Sequence, residues 1–213
     1  MPSFALITEG ITDQAVLESI LYGYYEEEPE VNSIQPARDA TDESRQGNFA
    51  NWEKVIEYCG SDIFREIFLF NDYLIIQIDT DICAHPNLNI PITEGGKDRP
   101  AAELIADMKA HIVSKIDPAI YNKFGDRIIF AISMHSLECW LLPLHIKEKR
   151  SASRTKNCEE HLKNALKKDG TRCEKDYRAY QALAKGYEKR KNIEQGRTRN
   201  ESFDIFLASL PTP

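Results

Sequence analysis

The 213-residue chain has no apolar run near the roughly 20 residues that a bilayer crossing requires, so no membrane span and no membrane partner are expected. It lacks the basic N-terminal stretch and long apolar core of a secretory leader, and cytoplasmic placement is the resulting expectation. No Cys-x-x-Cys pair occurs. Cys59, Cys83, Cys139, Cys158 and Cys173 are scattered and odd in number, which fits a reducing compartment and small buried thiols. His135 with Cys139, and Cys158 with His161, have spacings that a metal could use, but structural zinc sites show tighter pairs. Internal repeats and low-complexity tracts are also missing. The two tryptophans, Trp52 and Trp140, are expected in the core. What is present is a 42% hydrophobic chain, long enough for one sizeable domain and a small appendage.

The net charge of −7 is unevenly spread. Residues 147–199 carry 17 Lys and Arg against 8 Asp and Glu, whereas residues 1–146 carry 10 against 24. An acidic body followed by a basic region suits a metal site beside a surface for a polyanion, although a solvated helical face has the same composition. The division expected is a catalytic domain over 1–146 and a basic helical extension over 147–213, packed on it.

Along the chain, Phe4 to Thr8 reads as a buried strand that turns at Glu9-Gly10 into a helix carrying Val16, Leu17, Ile20, Leu21 and Tyr24, with Thr12 as its cap. Glu26-Glu27-Glu28-Pro29 ends that helix. A short strand is expected over Val31–Pro36, a loop over Arg38–Gly47, a helix over Asn48–Tyr58 and, over Asp62–Phe70, a further helix, with a strand as the alternative that its aromatic residues allow. Leu74-Ile75-Ile76-Gln77-Ile78 has the continuous apolar character of a strand buried on both faces, and it ends in Asp79-Thr80-Asp81. A loop with three prolines spans 83–100, a helix runs from Ala101 to about Ile116, and Asp117-Pro118 stops it. Arg127–Ile132 is a third buried strand, followed by Glu138. From Lys147 the chain is basic and helical, over roughly 155–168, 173–192 and Ser202–Leu210. Strands alternating with helices imply crossover units, and so an α/β fold with a mostly parallel central sheet, helices on both faces and a basic helical C-terminal appendage.

Three strand ends thus deliver Glu9 with Asp13, Asp79 with Asp81, and Glu138. In one parallel sheet these ends share an edge, where ligands of open α/β sheets bind. Hard carboxylate oxygens suit magnesium, which keeps several waters and takes one or two carboxylates together with substrate phosphates. The expected chemistry is phosphoryl transfer, with Mg2+, or Mn2+ in its place, as cofactor. Taken singly, Asp13 also fits a helix start, Asp79 and Asp81 a turn cap, and Glu138 a partner for a base.

Glu9-Gly10-x-x-Asp13 after a hydrophobic strand, with Asp79-x-Asp81 after a later one, resembles the Toprim domain of topoisomerases, bacterial primases and OLD-type nucleases, over roughly residues 3–142. Ser136-Leu137-Glu138-x-Trp140 is similar to small stand-alone Toprim proteins of the OLD-like and anti-phage group. The resemblance implies a Rossmann-like Toprim fold and a nuclease that hydrolyses phosphodiester bonds in DNA or RNA, working in anti-phage or mobile-element defence. It places Glu9 as general acid or base that also contacts metal, Asp79 and Asp81 as metal ligands, and Asp13 and Glu138 as further catalytic carboxylates. Asp79-Thr80-Asp81-Ile82-Cys83 lacks the glycine and arginine carried there by the Toprim maturases of ribosomal RNA, yet an rRNA- or tRNA-processing ribonuclease stays an alternative. So do a non-catalytic scaffold for a partner such as an ATPase, and a nucleotide phosphatase. No lysine follows Glu138 within its strand end, so a cation for the transition state and contacts to nucleic acid are expected from Lys97, Arg99, Lys147, Lys149 and Arg150.

Overall fold

The computed structural model describes residues 1–37, 51–168, 170 and 174–213. Strand β1 (Phe4–Ile7) turns through Glu9-Gly10 into helix α1 (Ile11–Tyr25), and β2 (Val31–Gln35) follows. Helices α2 (Trp52–Cys59) and α3 (Ile67–Phe70), separated by a 3-10 turn at Asp62–Glu66, lead to β3 (Tyr73–Asp79). A small hairpin, β4 (Thr93–Glu94) with β5 (Lys97–Asp98), precedes α4 (Ala101–Val113), α5 (Pro118–Phe124) and β6 (Ile128–Ser133). The remainder is helical: α6 (Glu138–His145), α7 (Lys149–Ala152), α8 (Cys158–Lys168), α9 (Tyr177–Ala184), α10 (Arg190–Arg197) and α11 (Glu201–Ser209). The loop expected over Arg38–Gly47, the helix start at Asn48 and Cys173 lie outside the described residues.

The main sheet has the order β2-β1-β3-β6 and every pair in it is parallel, so the fold is α/β. Its strands show no apolar–polar alternation because both faces are covered. Phe4, Leu6, Ile75 and Ile129 join one buried cluster with α1 and the C-terminal helices. Ala5, Ile7, Leu74, Ile76, Ile78, Phe130 and Ile132 join a second with residues of α2, α3 and α4. The chain steps outward from β1 to β2, then crosses back over β1 to β3 and on to β6. The winding therefore reverses between β1 and β3, and open sheets of this kind bind ligands at the strand ends flanking that reversal.

The C-terminal helices fill the first face. Tyr177, Tyr180, Leu183, Tyr187, Ile193, Phe203 and Phe206 share a cluster with the fully buried Trp140 and with α1. At Gly23 a Cβ would fall 1.8 Å from the Tyr187 carbonyl oxygen, so α1 and the turn at Lys185–Glu188 meet backbone to backbone. Trp52, expected in the core, is only partly buried.

Several local expectations change. Helix α1 is capped by Gly10 rather than Thr12, and the Asp13 carboxylate turns back to accept the Gly10 N–H at 2.8 Å. The loop at 83–100 contains the β4–β5 hairpin, whose Gly95-Gly96 turn has φ of 56° and 77°, the left-handed values a two-residue hairpin loop requires. Asp117-Pro118 stops α4 and also starts α5: the Asp117 carboxylate accepts the N–H groups of Ala119 and Ile120. The helix expected over 173–192 divides into α9, a 3-10 turn and α10, because Tyr187 turns inward and donates its hydroxyl to the Trp140 carbonyl. Cys139 and Cys158, expected as thiols, form a disulfide between α6 and α8, with Cα atoms 5.0 Å apart. Both cysteines of the two candidate zinc pairs are thereby spent. Cys59 and Cys83 are free and buried. No described helix is long and apolar enough to cross a membrane.

Candidate functional site

The site lies at the C-terminal ends of β1, β3 and β6, neighbours in the sheet. Glu9 follows β1 at once, Asp79 is the last residue of β3, Asp81 sits in the 3-10 turn beyond it, and Glu138 opens α6 after β6. Asp13 stands in the first turn of α1. All five carboxylates expected from the sequence meet here, close enough that Glu9, Asp13, Asp79 and Asp81 each have their proton affinity raised by at least one of the others.

A network of hydrogen bonds holds them. The Asp79 N–H donates to Glu9 Oε1 at 2.7 Å, tying β1 to β3 across the reversal. Gln77, fully buried inside β3, accepts the Glu9 N–H at 3.1 Å and donates to Asp79 Oδ1 at 2.9 Å. Ser133, which pairs with Asp79 in the β3–β6 register, donates its hydroxyl to the same oxygen. Tyr180 reaches in from α9 and donates to Glu138 Oε1 at 2.7 Å. The loop bearing Asp81 is fastened to the next strand end, since its N–H donates to the His135 carbonyl at 3.1 Å and the His135 N–H donates to Thr80 Oγ1 at 2.7 Å.

Desolvation dominates the electrostatics. Burial, with repulsion from Asp81 and Glu138, lifts the Glu9 carboxyl from 4.5 to about 7, against the opposing pull of the Asp79 N–H. Burial first, then Glu9 and Glu138, hold Asp13 well above the carboxylate range. Asp79 is raised by burial and by Glu9, Asp13 and Glu138, with Ser133 working the other way. Asp81 stands exposed at the mouth and is still raised, first by the water lost on its inner side. Lys175, just ahead of α9, is the cation that faces this cluster. Its charge lowers the affinity of Asp13 and Asp81 for protons, and its own is raised through Glu138, Glu159 and Asp13. Its ammonium lies 3.2 Å from Glu159 of α8.

Magnesium fits this donor set in kind. The ligands are hard oxygens whose mutual repulsion and desolvation a divalent cation relieves, and in each of Glu9, Asp13, Asp79 and Glu138 one oxygen has no hydrogen bond from the described residues. Among the described residues no three His, Cys, Asp or Glu side chains close into a ready-made metal cage. Magnesium in phosphate-handling sites needs only one or two carboxylates and keeps its waters.

Among the basic residues expected to serve the site, Arg99 is engaged elsewhere and the others stand exposed. The Arg99 guanidinium is held by Asp107 at 2.8 Å and Glu103 at 3.5 Å, and it donates to the Pro91 carbonyl at 2.9 Å. Lys97 is exposed on the β4–β5 hairpin, while Lys147, Lys149 and Arg150 are exposed around α7. Sequence reading missed Gln77, Ser133, Lys175 and Tyr180. Gln77 had a signal, as the one polar residue inside an apolar strand. Lys175 and Tyr180 had none, being two members of a long basic helical stretch. When the chain is compared with protein-family models, curated proteins and solved structures, none matches.

Proposed function

We propose that the protein is a magnesium-dependent nuclease of Toprim type, hydrolysing phosphodiester bonds in DNA or RNA as a defence effector. The observation that carries this reading is the meeting of Glu9, Asp13, Asp79, Asp81 and Glu138 at three neighbouring parallel strand ends beside the winding reversal, with Lys175 facing them. Asp79 and Asp81 would hold the ion, with Glu9 at its edge. A bound magnesium ion supplies charge neutralisation for the phosphate and a more acidic water. Glu9 carries out the proton transfer at its free oxygen, Oε2. In the metal-free protein burial raises the proton affinity of this carboxyl, the direction that suits a group which must hold a proton before passing it on. Asp13 and Glu138 complete the acidic wall, and Lys175 offsets charge on the phosphoryl oxygens. The exposed Lys147, Lys149 and Arg150 contribute backbone contacts whose strength falls with salt.

The purified protein is incubated with DNA, rRNA and tRNA in magnesium or manganese, beside Glu9→Gln and Asp79→Asn. Cleavage by the wild type and its loss in both variants is the expected result; equal cleavage by all three marks a contaminant and ends the reading. A scaffold role is favoured by one feature, the engagement of Asp79 with Gln77 and Ser133 and of Glu9 with the Asp79 N–H, which satisfies much of the site internally. It predicts no calorimetric signal with millimolar magnesium and nucleic acid bound equally well in EDTA. The Cys139–Cys158 disulfide counts against a permanently reducing compartment.

A further inference from the structure

Beside the carboxylates, on the far side of the Thr80–Asp81 turn, lies a cavity of about 170 Å³. Its floor is apolar: Ile92, Ala101, Leu104 and Met134. Its walls carry His135, Arg99, Asp98, Lys156, Glu201 and the hydroxyls of Thr155 and Ser202. Cavities of about 150 Å³ in protein cores accept a benzene ring, so this one has room for a single heterocycle.

The polar groups offer no net charge to an anion. Two negative and two positive side chains line the cavity, and the positive ones are already committed. Lys156 sits 2.6 Å from both Asp98 oxygens, and Arg99 is clamped by Asp107 and Glu103. What remains is a neutral slot with an apolar floor and a rim of donors and acceptors, the usual make-up of a small-molecule site. Its position is fixed with respect to the carboxylates. Thr80 belongs both to the cavity wall and to the turn between Asp79 and Asp81. His135 is held at φ 58°, a left-handed backbone uncommon for a side chain of this size, and its two backbone bonds to that turn keep it there.

We infer that this cavity receives one nucleobase of the substrate, unstacked from its neighbours, when that nucleotide's phosphate rests on the carboxylates of the adjoining strand ends. The inference rests on the nuclease reading for its phosphate half and stands on the cavity for its base half. It gives the enzyme a means of choosing single-stranded or locally opened nucleic acid, since a base still paired and stacked cannot enter.

The test separates the two halves. Adenosine, guanosine, cytidine and uridine, which carry no phosphate, are titrated into the protein in EDTA and followed by NMR shift changes. At least one is expected to bind with a Kd of about a millimolar or tighter. Glu9→Gln should bind it equally well. Thr155→Trp, which fills the cavity from the coil before α8, and Ala101→Leu, which fills it from α4, should each weaken binding by about tenfold or more. Absence of binding by all four nucleosides, or binding that neither filling variant weakens, overturns the inference even if Glu9-dependent cleavage is found. Nucleoside binding in a protein that cleaves nothing keeps the base site and overturns the nuclease reading alone.

Discussion

Replacing Glu9 with glutamine should make the metal-free protein more stable at neutral and alkaline pH while removing the proposed nuclease activity. The Glu9 carboxyl is lifted from 4.5 to about 7 chiefly by burial, so the folded state prefers it protonated while the unfolded chain does not. Its contribution to stability is fully present below pH 4.5 and is lost progressively as pH rises through 7. At about 1.36 kcal/mol per pH unit, the loss reaches roughly 3 kcal/mol by pH 8. Glutamine keeps an oxygen to accept the Asp79 N–H and carries no charge to lose. It also relieves Asp13 and Asp79, both of which Glu9 pushes upward. Urea unfolding of wild type and Glu9→Gln in EDTA, from pH 4.5 to 8.5, measures this directly. The two curves should nearly coincide at the acid end and separate by about 3 kcal/mol at the alkaline end, a shift in midpoint temperature of roughly 6–12 °C for a chain of this size. Parallel curves, or a wild type more stable than the variant at pH 8, would refute the claim that burial and mutual repulsion load this carboxylate.

Three other perturbations have defined outcomes. Gly23→Ala drives a methyl group against the Tyr187 carbonyl and should lower stability by about 3 kcal/mol in urea unfolding; an unchanged midpoint means that α1 and the 185–188 turn do not meet as closely as described. Tyr180→Phe removes the hydroxyl on Glu138 Oε1 and should cost roughly 2 kcal/mol in urea unfolding; an unchanged midpoint means that this bond contributes nothing to the fold. Reduction of Cys139–Cys158, which are 19 residues apart, should cost about 3 kcal/mol, read by unfolding with and without dithiothreitol; identical curves mean that the bond does not form in solution.

The strand ends were legible before the fold was known because a buried strand leaves two marks, an apolar run and the first charge after it. Ile76-x-Ile78-Asp79 and Leu6-Ile7-Thr8-Glu9 carry both, and the parallel pairing of β1, β3 and β6 then brings the acids to one edge. The partners of those acids were not legible. Tyr180 reaches Glu138 only because α9 lies along α1, a packing decided by Gly23 and Tyr187 across 164 residues of chain, and no local period encodes it. The disulfide was missed for the same reason: the spacing of Cys139 and Cys158 is silent until α6 and α8 pack together. Arg99 misled in the opposite sense. As a cation in an acidic half it looked available, but Glu103 and Asp107 of the helix that follows it had already claimed it.

The bond from Tyr180 to Glu138, together with Lys175 facing Asp13 and Asp81, makes the C-terminal helices a listening post for the acidic cluster. By thermodynamic reciprocity, if filling the cluster changes how firmly α9 is seated on α1, then gripping α9 changes how strongly the cluster is filled by the same factor. Through such a coupling a protein docked on the basic helices would act on the strand ends without touching them, and amide-exchange rates along α9, measured with and without magnesium, would show it.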